Sequence, residues 1–539
     1  MTHWNAFDAA CVVGRHCRLG PGGLHSAADL LAEMDHHGIA EALVVDSLSR
    51  EHHPTDGNAR ILEAAAASPR LHPAWAALPP GTAEDQPEPE TLVRQMRDRG
   101  VGALFLFTGH YRFGLADWCL DDLLGPLADA RVPLFINPNP AGHGGVDQTD
   151  WHGVVALCRR WPALPVVVSE YRIRTSQRTL YRALDACPNL RLELSAYWLY
   201  RGIEYIARRW GPERLLFGSN WPTFGQAMTL ATLTCADIDP DAKRRIAGDN
   251  LRELLRWAEP ASPPEPDAQR PEPAFSPPPA ADPLVAFART GRRPADLRIC
   301  DCHGHLGGRS MWYHVPDGST DVAVAEMDRL GVERACVFSF AGVSSDECFG
   351  NDIVADAVAR HPDRFIGFTL LNPHRGRDAM LHELERGAAL GLRGVKLIAS
   401  YQGYPTEGPL IDVACQWAHE RKQIILNHNW GSAEQIERLL ATYPHACYIA
   451  GHTTTAYADV MTRHDDLYVC SCPLLTPRRC EEVVAAIGPD RLLYGSDLQD
   501  LPIAWGLGPI LVARIPEAHR RLILGDTLRR LLTRYSLAP

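Results

Sequence analysis

The sequence predicts an α/β protein built as two tandem (β/α)8 TIM barrels joined by a proline-rich linker. The chain is written twice, and each copy runs through strand-helix units at the rhythm of a barrel. In the second copy, ionisable residues recur at the C-terminal ends of the predicted strands, where barrel enzymes place their chemistry.

The repeat is legible residue by residue. Asp8 matches Asp301, and the same offset pairs Ala32–Asp35 with Ala325–Asp328, Gly38 with Gly331, and Gly57-Asn58 with Gly350-Asn351. Later the offset shortens, as loop deletions would make it do. Gly211–Asn220 then pairs with Gly488–Asp497, and Ile246–Arg252 with Ile523–Arg529. The copies span residues 1–257 and 296–539. Between them, residues 258–295 hold Ser262-Pro263-Pro264-Glu265-Pro266 and Ser276-Pro277-Pro278-Pro279. Proline this dense joins neither a ladder nor a helix interior, which predicts a semi-extended linker.

Within the second copy, short β-branched and apolar runs predict strands at Ile299–His303, Ala335–Phe340, Phe365–Leu371, Gly394–Ala399, Gln423–His428, Cys447–His452, Leu467–Cys472 and Leu492–Asp497. Between them, amphipathic spacing predicts helices, among them Val322–Leu330, Asn351–Arg360, Met380–Leu390, Ile411–Arg421 and Ala433–Tyr443. An open doubly wound sheet would use the same units. It would not naturally bring strands one, five, six and eight to one point, whereas a closed barrel does.

Composition narrows the class. At 539 residues, with 46% hydrophobic and 22% charged residues, the chain is globular and long enough for two large domains. A net charge of −11 without basic blocks argues against a nucleic-acid surface. No apolar run reaches the roughly 18 residues of a membrane span. The N-terminus lacks the basic-then-apolar layout of a signal peptide, so a cytoplasmic protein is expected. The 15 scattered cysteines then read as reduced thiols, and Cys470-Ser471-Cys472 as strand packing.

The chemistry centres on Asp301-Cys302-His303-Gly304-His305. Residues i and i+2 of a strand share a side, so both imidazoles reach one point, and neutral imidazole is the commonest side-chain metal ligand. His428, His452 and Asp497 each end a later predicted strand.

With Gly394-Val395-Lys396-Leu397, Gly451-His452, Gly495-Ser496-Asp497 and the closing Leu524–Leu532, these residues make the second copy resemble the amidohydrolase superfamily. The likeness is to its amidohydrolase-related (amidohydrolase 2) branch of hydrolases, lactonases and decarboxylases. The resemblance implies that His303, His305, His428 and Asp497 bind a divalent metal. Zinc is the first expectation, with manganese or iron as alternatives, and one ion per chain favoured over two. It also implies that Asp497 moves the proton and that His452 polarises the substrate or holds a second ion. Lys396 would then either bridge two ions in carboxylated form or hold a substrate carboxylate. Tyr313, Asn372, Tyr401, Tyr404 and Trp430 follow strand ends, where the pocket for a small-molecule substrate is expected, as do His314, His374 and Arg375. Arg309–Thr320 is the expected lid.

The first copy lacks this set. His303 aligns with Ala10, His305 with Val12, Lys396 with Phe105, His428 with Pro138, His452 with Glu170 and Asp497 with Asn220. Ala, Val, Pro and Phe side chains coordinate nothing, so the first copy is expected to be a pseudo-enzyme domain. Relatives that dimerise suggest an intramolecular pseudo-dimer, with further homo-oligomerisation open and with Arg172 or Arg174 reaching the live site. The expectation is a metal-dependent hydrolase of a small amide, lactone or ester. The alternatives are a non-oxidative decarboxylase of an aromatic or enoic acid, and a non-catalytic scaffold.

Overall fold

The computed structural model describes residues 4–17, 23–138, 149–169, 176–258 and 277–535. Its strands form two eight-stranded parallel sheets, each in sequential order. The first holds β1 (Ala6–Val13), β2 (Ile39–Asp46), β3 (Leu71–Ala76), β4 (Ala103–Leu106), β5 (Leu134–Ile136), β6 (Val166–Val168), β7 (Leu190–Glu193) and β8 (Leu215–Leu216). The second holds β9 (Ile299–Leu306), β10 (Val332–Ser339), β11 (Phe365–Leu370), β12 (Gly394–Leu397), β13 (Ile424–Asn427), β14 (Cys447–Ala450), β15 (Leu467–Cys470) and β16 (Leu492–Leu493).

Both rings close in the same way. In the first, Ala9 N donates to Phe217 O at 2.9 Å and Val12 N to Trp221 O at 2.8 Å. In the second, the repeat-related pairs are Cys302 N to Tyr494 O at 2.9 Å and His305 N to Leu498 O at 2.8 Å. Each ring is therefore a (β/α)8 barrel.

Local structure follows the repeat as well. Ser26 and Ser319 cap the helices Ala27–His37 and Thr320–Leu330, and Gly38 and Gly331 end them with φ of 74° and 81°. That left-handed conformation is one glycine adopts without a Cβ penalty. A π-helical turn recurs at Arg245–Asp249 and Leu522–Asp526, and its Ile246 and Ile523 carbonyls accept from Phe217 N and Tyr494 N, just past the last strand of each barrel.

Two expectations are corrected. The proline-dense core of the linker, residues 259–276, lies outside the described residues, but the range expected as linker is not all linker. Pro283–Thr290 is a helix, with Asp282 as N-cap and proline at the first turn. Its Leu284, Val285, Phe287 and Ala288 are buried, and Arg289 donates to the Asp35 and His36 carbonyls at 2.6 and 2.7 Å. The first compact unit accordingly runs on to Arg292. The second correction concerns strand ends. Ladders stop before His428, His452, Cys472 and Asp497, which stand in the loops just beyond.

The interior of the first barrel is apolar where the second is ionisable. Phe105 and Phe135 stack at 4.7 Å between ring centroids, and Phe105 and Phe107 at 5.7 Å, within a cluster that includes Phe7, Val12, Val45 and Val167. Among the described residues no helix is long and apolar enough to cross a membrane. All cysteines are unpaired thiols.

Candidate active site

β9 delivers the first two groups. His303 and His305 are buried, and Gly304 between them leaves the space in which Leu498 packs. Asp497 arrives from the loop after β16 with φ of 58°. Its counterpart Asn220 has φ of 55°, and Asn and Asp are the side chains that best tolerate this region. The turn is fixed by Asp497 N donating to His303 O at 2.9 Å. Beneath it, Asp301 Oδ1 accepts from the His303 and Ser496 amides, both at 3.0 Å, and Ser496 Oγ donates to Oδ2. The first barrel keeps this clamp as Asp8 and Ser219, so it is a device of the fold and not of the chemistry. Burial pushes the Asp301 carboxyl up to about 7.

Asp497 Oδ1 lies 3.1 Å from His303 Nε2 and 3.2 Å from His305 Nε2. The donor atoms of these three residues fall within 4.8 Å of one another. Neither contact has the geometry of a hydrogen bond. His303 Nδ1 sits 2.9 Å from Gly451 O, and a carbonyl can only accept, so Nδ1 carries the ring proton. Burial, reinforced by the Lys396 charge, holds this imidazole neutral by pulling its pKa well below the ordinary value. The Nε2 lone pair therefore faces a carboxylate oxygen. Two electron-rich atoms at that distance repel unless a cation lies between them. The donor set thus fits a divalent ion, and two imidazoles with a carboxylate suit zinc, manganese or iron.

The other expected site residues surround this triplet in different ways. His452 donates from Nδ1 to Cys472 O at 2.9 Å, which leaves its Nε2 unprotonated. Its ring lies 5.5 Å from that of His303 and 4.2 Å from that of His428. His428 stands outside the triplet. Its Nδ1 faces Ser400 Oγ at 3.1 Å, its ring packs on His452 and Tyr401, and burial lowers its pKa to about 3. Lys396, on β12, is fully buried with no hydrogen-bond partner for Nζ, which lies 4.2 Å from the centre of the Phe338 ring. Burial lowers it to about 8, against the pull of Asp497.

Of the residues expected at the substrate, Tyr401 is exposed at 53%, and His314, His374 and Arg375 are exposed as well. Tyr401 packs edge-on against His428 and Trp312, each 5.5 Å away. Tyr313 is buried and edges onto Phe340, which itself stacks on His305. The other three have polar atoms engaged within the protein. Trp430 is wholly buried, its indole N–H bonded to Ile449 O. Tyr404 is buried, and its hydroxyl accepts from Ile398 N. Asn372 caps the turn Pro373–Arg375. Arg172, Arg174 and Glu170 lie outside the described residues.

Sequence reasoning missed Gln499 and undervalued Cys472. Gln499 Oε1 accepts from Gly308 N at 3.2 Å, and its Nε2 donates to Gly318 O at 3.0 Å, pinning both ends of the expected lid. Cys472 donates its thiol to Asp497 Oδ2 at 3.2 Å.

A strand-one His-x-His facing a strand-eight aspartate, at the C-terminal mouth of a closed parallel barrel, defines a metal-centred barrel site. The chain belongs to the amidohydrolase family, whose model matches it twice, over residues 22–257 and 300–534. Similar solved structures include 5-carboxyvanillate decarboxylase from Sphingomonas paucimobilis, at 16% identity over 44% of this chain and 99% of that one, TM-score 0.35. Another is 2,6-dihydroxybenzoate decarboxylase from Rhizobium, at 17% over 45% and 100%, TM-score 0.36. A third is an uncharacterised TIM-barrel protein from Bordetella bronchiseptica, at 16% over 44% and 100%, TM-score 0.38. No curated protein matches the chain.

Proposed function

We propose that the C-terminal barrel is a metal-dependent hydrolase of a small amide, lactone or ester, and that the N-terminal barrel is non-catalytic. The observation that carries this reading is the unprotonated His303 Nε2 held 3.1 Å from Asp497 Oδ1. His303, His305 and Asp497 would hold the ion. When bound, it supplies Lewis acidity and brings the ionisation of water toward neutral pH. Asp497 takes the proton as water oxygen bonds to the substrate carbonyl carbon, then passes it to the leaving nitrogen or oxygen as that bond breaks. His452, its Nδ1 proton already committed to Cys472 O, offers Nε2 to a donor on the substrate. Lys396, buried without a partner, presents a cation to a substrate oxygen that carries or gains negative charge.

That same unpartnered ammonium favours a second reading, decarboxylation, since it suits a substrate carboxylate as well as a developing oxyanion. The carbon–carbon bond to the carboxylate would break, CO2 would leave, and the residual carbanion would take a proton. Metal-loaded protein incubated in H2 18O with panels of lactones, N-acyl compounds and aromatic acids separates the two. Label in the acid product marks hydrolysis, and CO2 release with an organic product that carries no label marks decarboxylation. Metal content tests the shared premise. About one ion per chain is expected, lost when His303 and His305 are both changed to Ala. Wild-type protein that takes up no divalent ion would leave the scaffold reading.

A further inference from the structure

Asp497 offers two carboxylate oxygens, and the structure uses them differently. Oδ1 faces both histidines, while Oδ2 accepts the Cys472 thiol at 3.2 Å. Cys472 is buried at 2% exposure just past β15, and its carbonyl accepts from His452 Nδ1 and from Thr453 N at 3.0 Å. One residue thus grips a metal-site carboxylate with its side chain and fixes the tautomer of a neighbouring imidazole with its backbone.

The first barrel supplies an internal comparison. Leu192 pairs with Leu215 as Val469 pairs with Leu492, which sets Ser195 at the position of Cys472 and Glu193 at that of Cys470. There the aspartate has become Asn220. Ser195 Oγ donates to Glu193 at 2.7 Å instead, and Ser169 Oγ donates to the same carboxylate at 2.8 Å. Where the acid of strand eight is missing, the donor that would serve it is engaged elsewhere.

From this we infer that Cys472 is a positioning residue of the metal centre: its S–H holds Asp497 Oδ2 so that Oδ1 is presented to the ion shared with His303 and His305. The inference rests on the metal-site reading above. Groups that hold a ligand from behind contribute about 10–100-fold to metal affinity. A carboxylate without such a hold rotates about its last bond and loses alignment.

The test uses the full chain, stripped with a chelator and titrated with Co2+, and reads both the dissociation constant and the d–d absorption envelope. Cys472→Val removes the donor and adds about a methyl group; Cys472→Ala removes the donor and leaves a smaller side chain; Cys472→Ser keeps a donor. Expected is a Kd raised about 10-fold or more in Cys472→Val with an altered d–d envelope, and a Kd within about 3-fold of wild type in Cys472→Ser. Equal affinity in all variants overturns the inference. So does equal weakening in the Ser and Val variants, which would mark a packing role. Should Val strain the fold, as circular dichroism would show, the Ala and Ser comparison decides in the same way. Wild-type chain that binds no Co2+ sinks the metal-site reading and this inference together; wild-type binding with an unaffected Val variant sinks this inference alone.

Discussion

At the residue scale, the site is a contest between burial and charge, and Lys396 is where the contest can be measured. Burial lowers its pKa from 10.5 to about 8. Between those values the unfolded chain holds a proton that the native chain does not, so stability rises with pH across that window. Below pH 8 the full cost of the buried ammonium is felt, about 3 kcal/mol for a shift of this size. Lys396→Met in metal-free protein is therefore expected to be more stable at pH 7 by roughly that amount, with the gain shrinking as pH climbs toward 10.5. Urea unfolding at several pH values checks it; a variant less stable than wild type at pH 7 would mean that Lys396 has a native partner. Residues of this kind were legible unevenly. His303 and His305 could be read because strand geometry alone places i and i+2 together. Cys472 could not, because its partner lies on the loop after the next strand and thiols are commonly just packed. Tyr404 and Trp430 show the mirror case: an aromatic past a strand end serves the barrel wall as readily as a ligand, and here their polar atoms are spent on Ile398 N and Ile449 O.

At the scale of the element, the strand succession of the second barrel could be read from the sequence almost whole; most of its later ends were placed too far along, while β9 runs on past the expected His303 to Leu306 and β10 starts at Val332, ahead of the expected Ala335. The overrun has a physical cause. An apolar run signals a strand, but the ladder breaks where the chain must turn a side chain toward the barrel axis, and Asp497 does so in a left-handed conformation no strand contains. Gly495 is the tightest point of that turn. An added Cβ would overlap the Cys470 thiol and come within 3.0 Å of His303 Cβ. Gly495→Ala is thus predicted to push β16 away from β9, destabilising the barrel by about 1–3 kcal/mol in thermal melts, as overpacking does. It should weaken Co2+ binding as well, since His303 and Asp497 belong to the two elements forced apart. Retained affinity would show that Cys470 yields instead. The helix Pro283–Thr290 teaches the opposite lesson: proline-dense surroundings concealed an Asp-Pro start and an apolar face, both visible in the sequence. Asp282→Ala should cost about 1 kcal/mol through loss of that cap, measured by chemical denaturation.

At the scale of the whole molecule, duplication followed by divergence explains why one chain carries two barrels with such different interiors. The clamp of Asp8 with Ser219, the ring closure and the π-helical turn are kept in both, because each holds strands together whatever the chemistry. The ligand positions are not kept. Phe105 stands where Lys396 stands and stacks on Phe135, so the space that needs a charge in one barrel is filled by carbon in the other. A divalent ion should accordingly stabilise one unit only. An ion that binds the native state at 100 times its Kd contributes about 2.7 kcal/mol to it. Hydrogen exchange with and without Co2+ should slow markedly in peptides covering Ile299–Leu306 and Leu492–Leu501, where the strands meet the ligands. Peptides covering Ala6–Val13 and Leu215–Phe224, their repeat-related counterparts, should be unchanged. Equal protection of both sets would mean that the first barrel also takes up metal, and the pseudo-enzyme assignment would have to go.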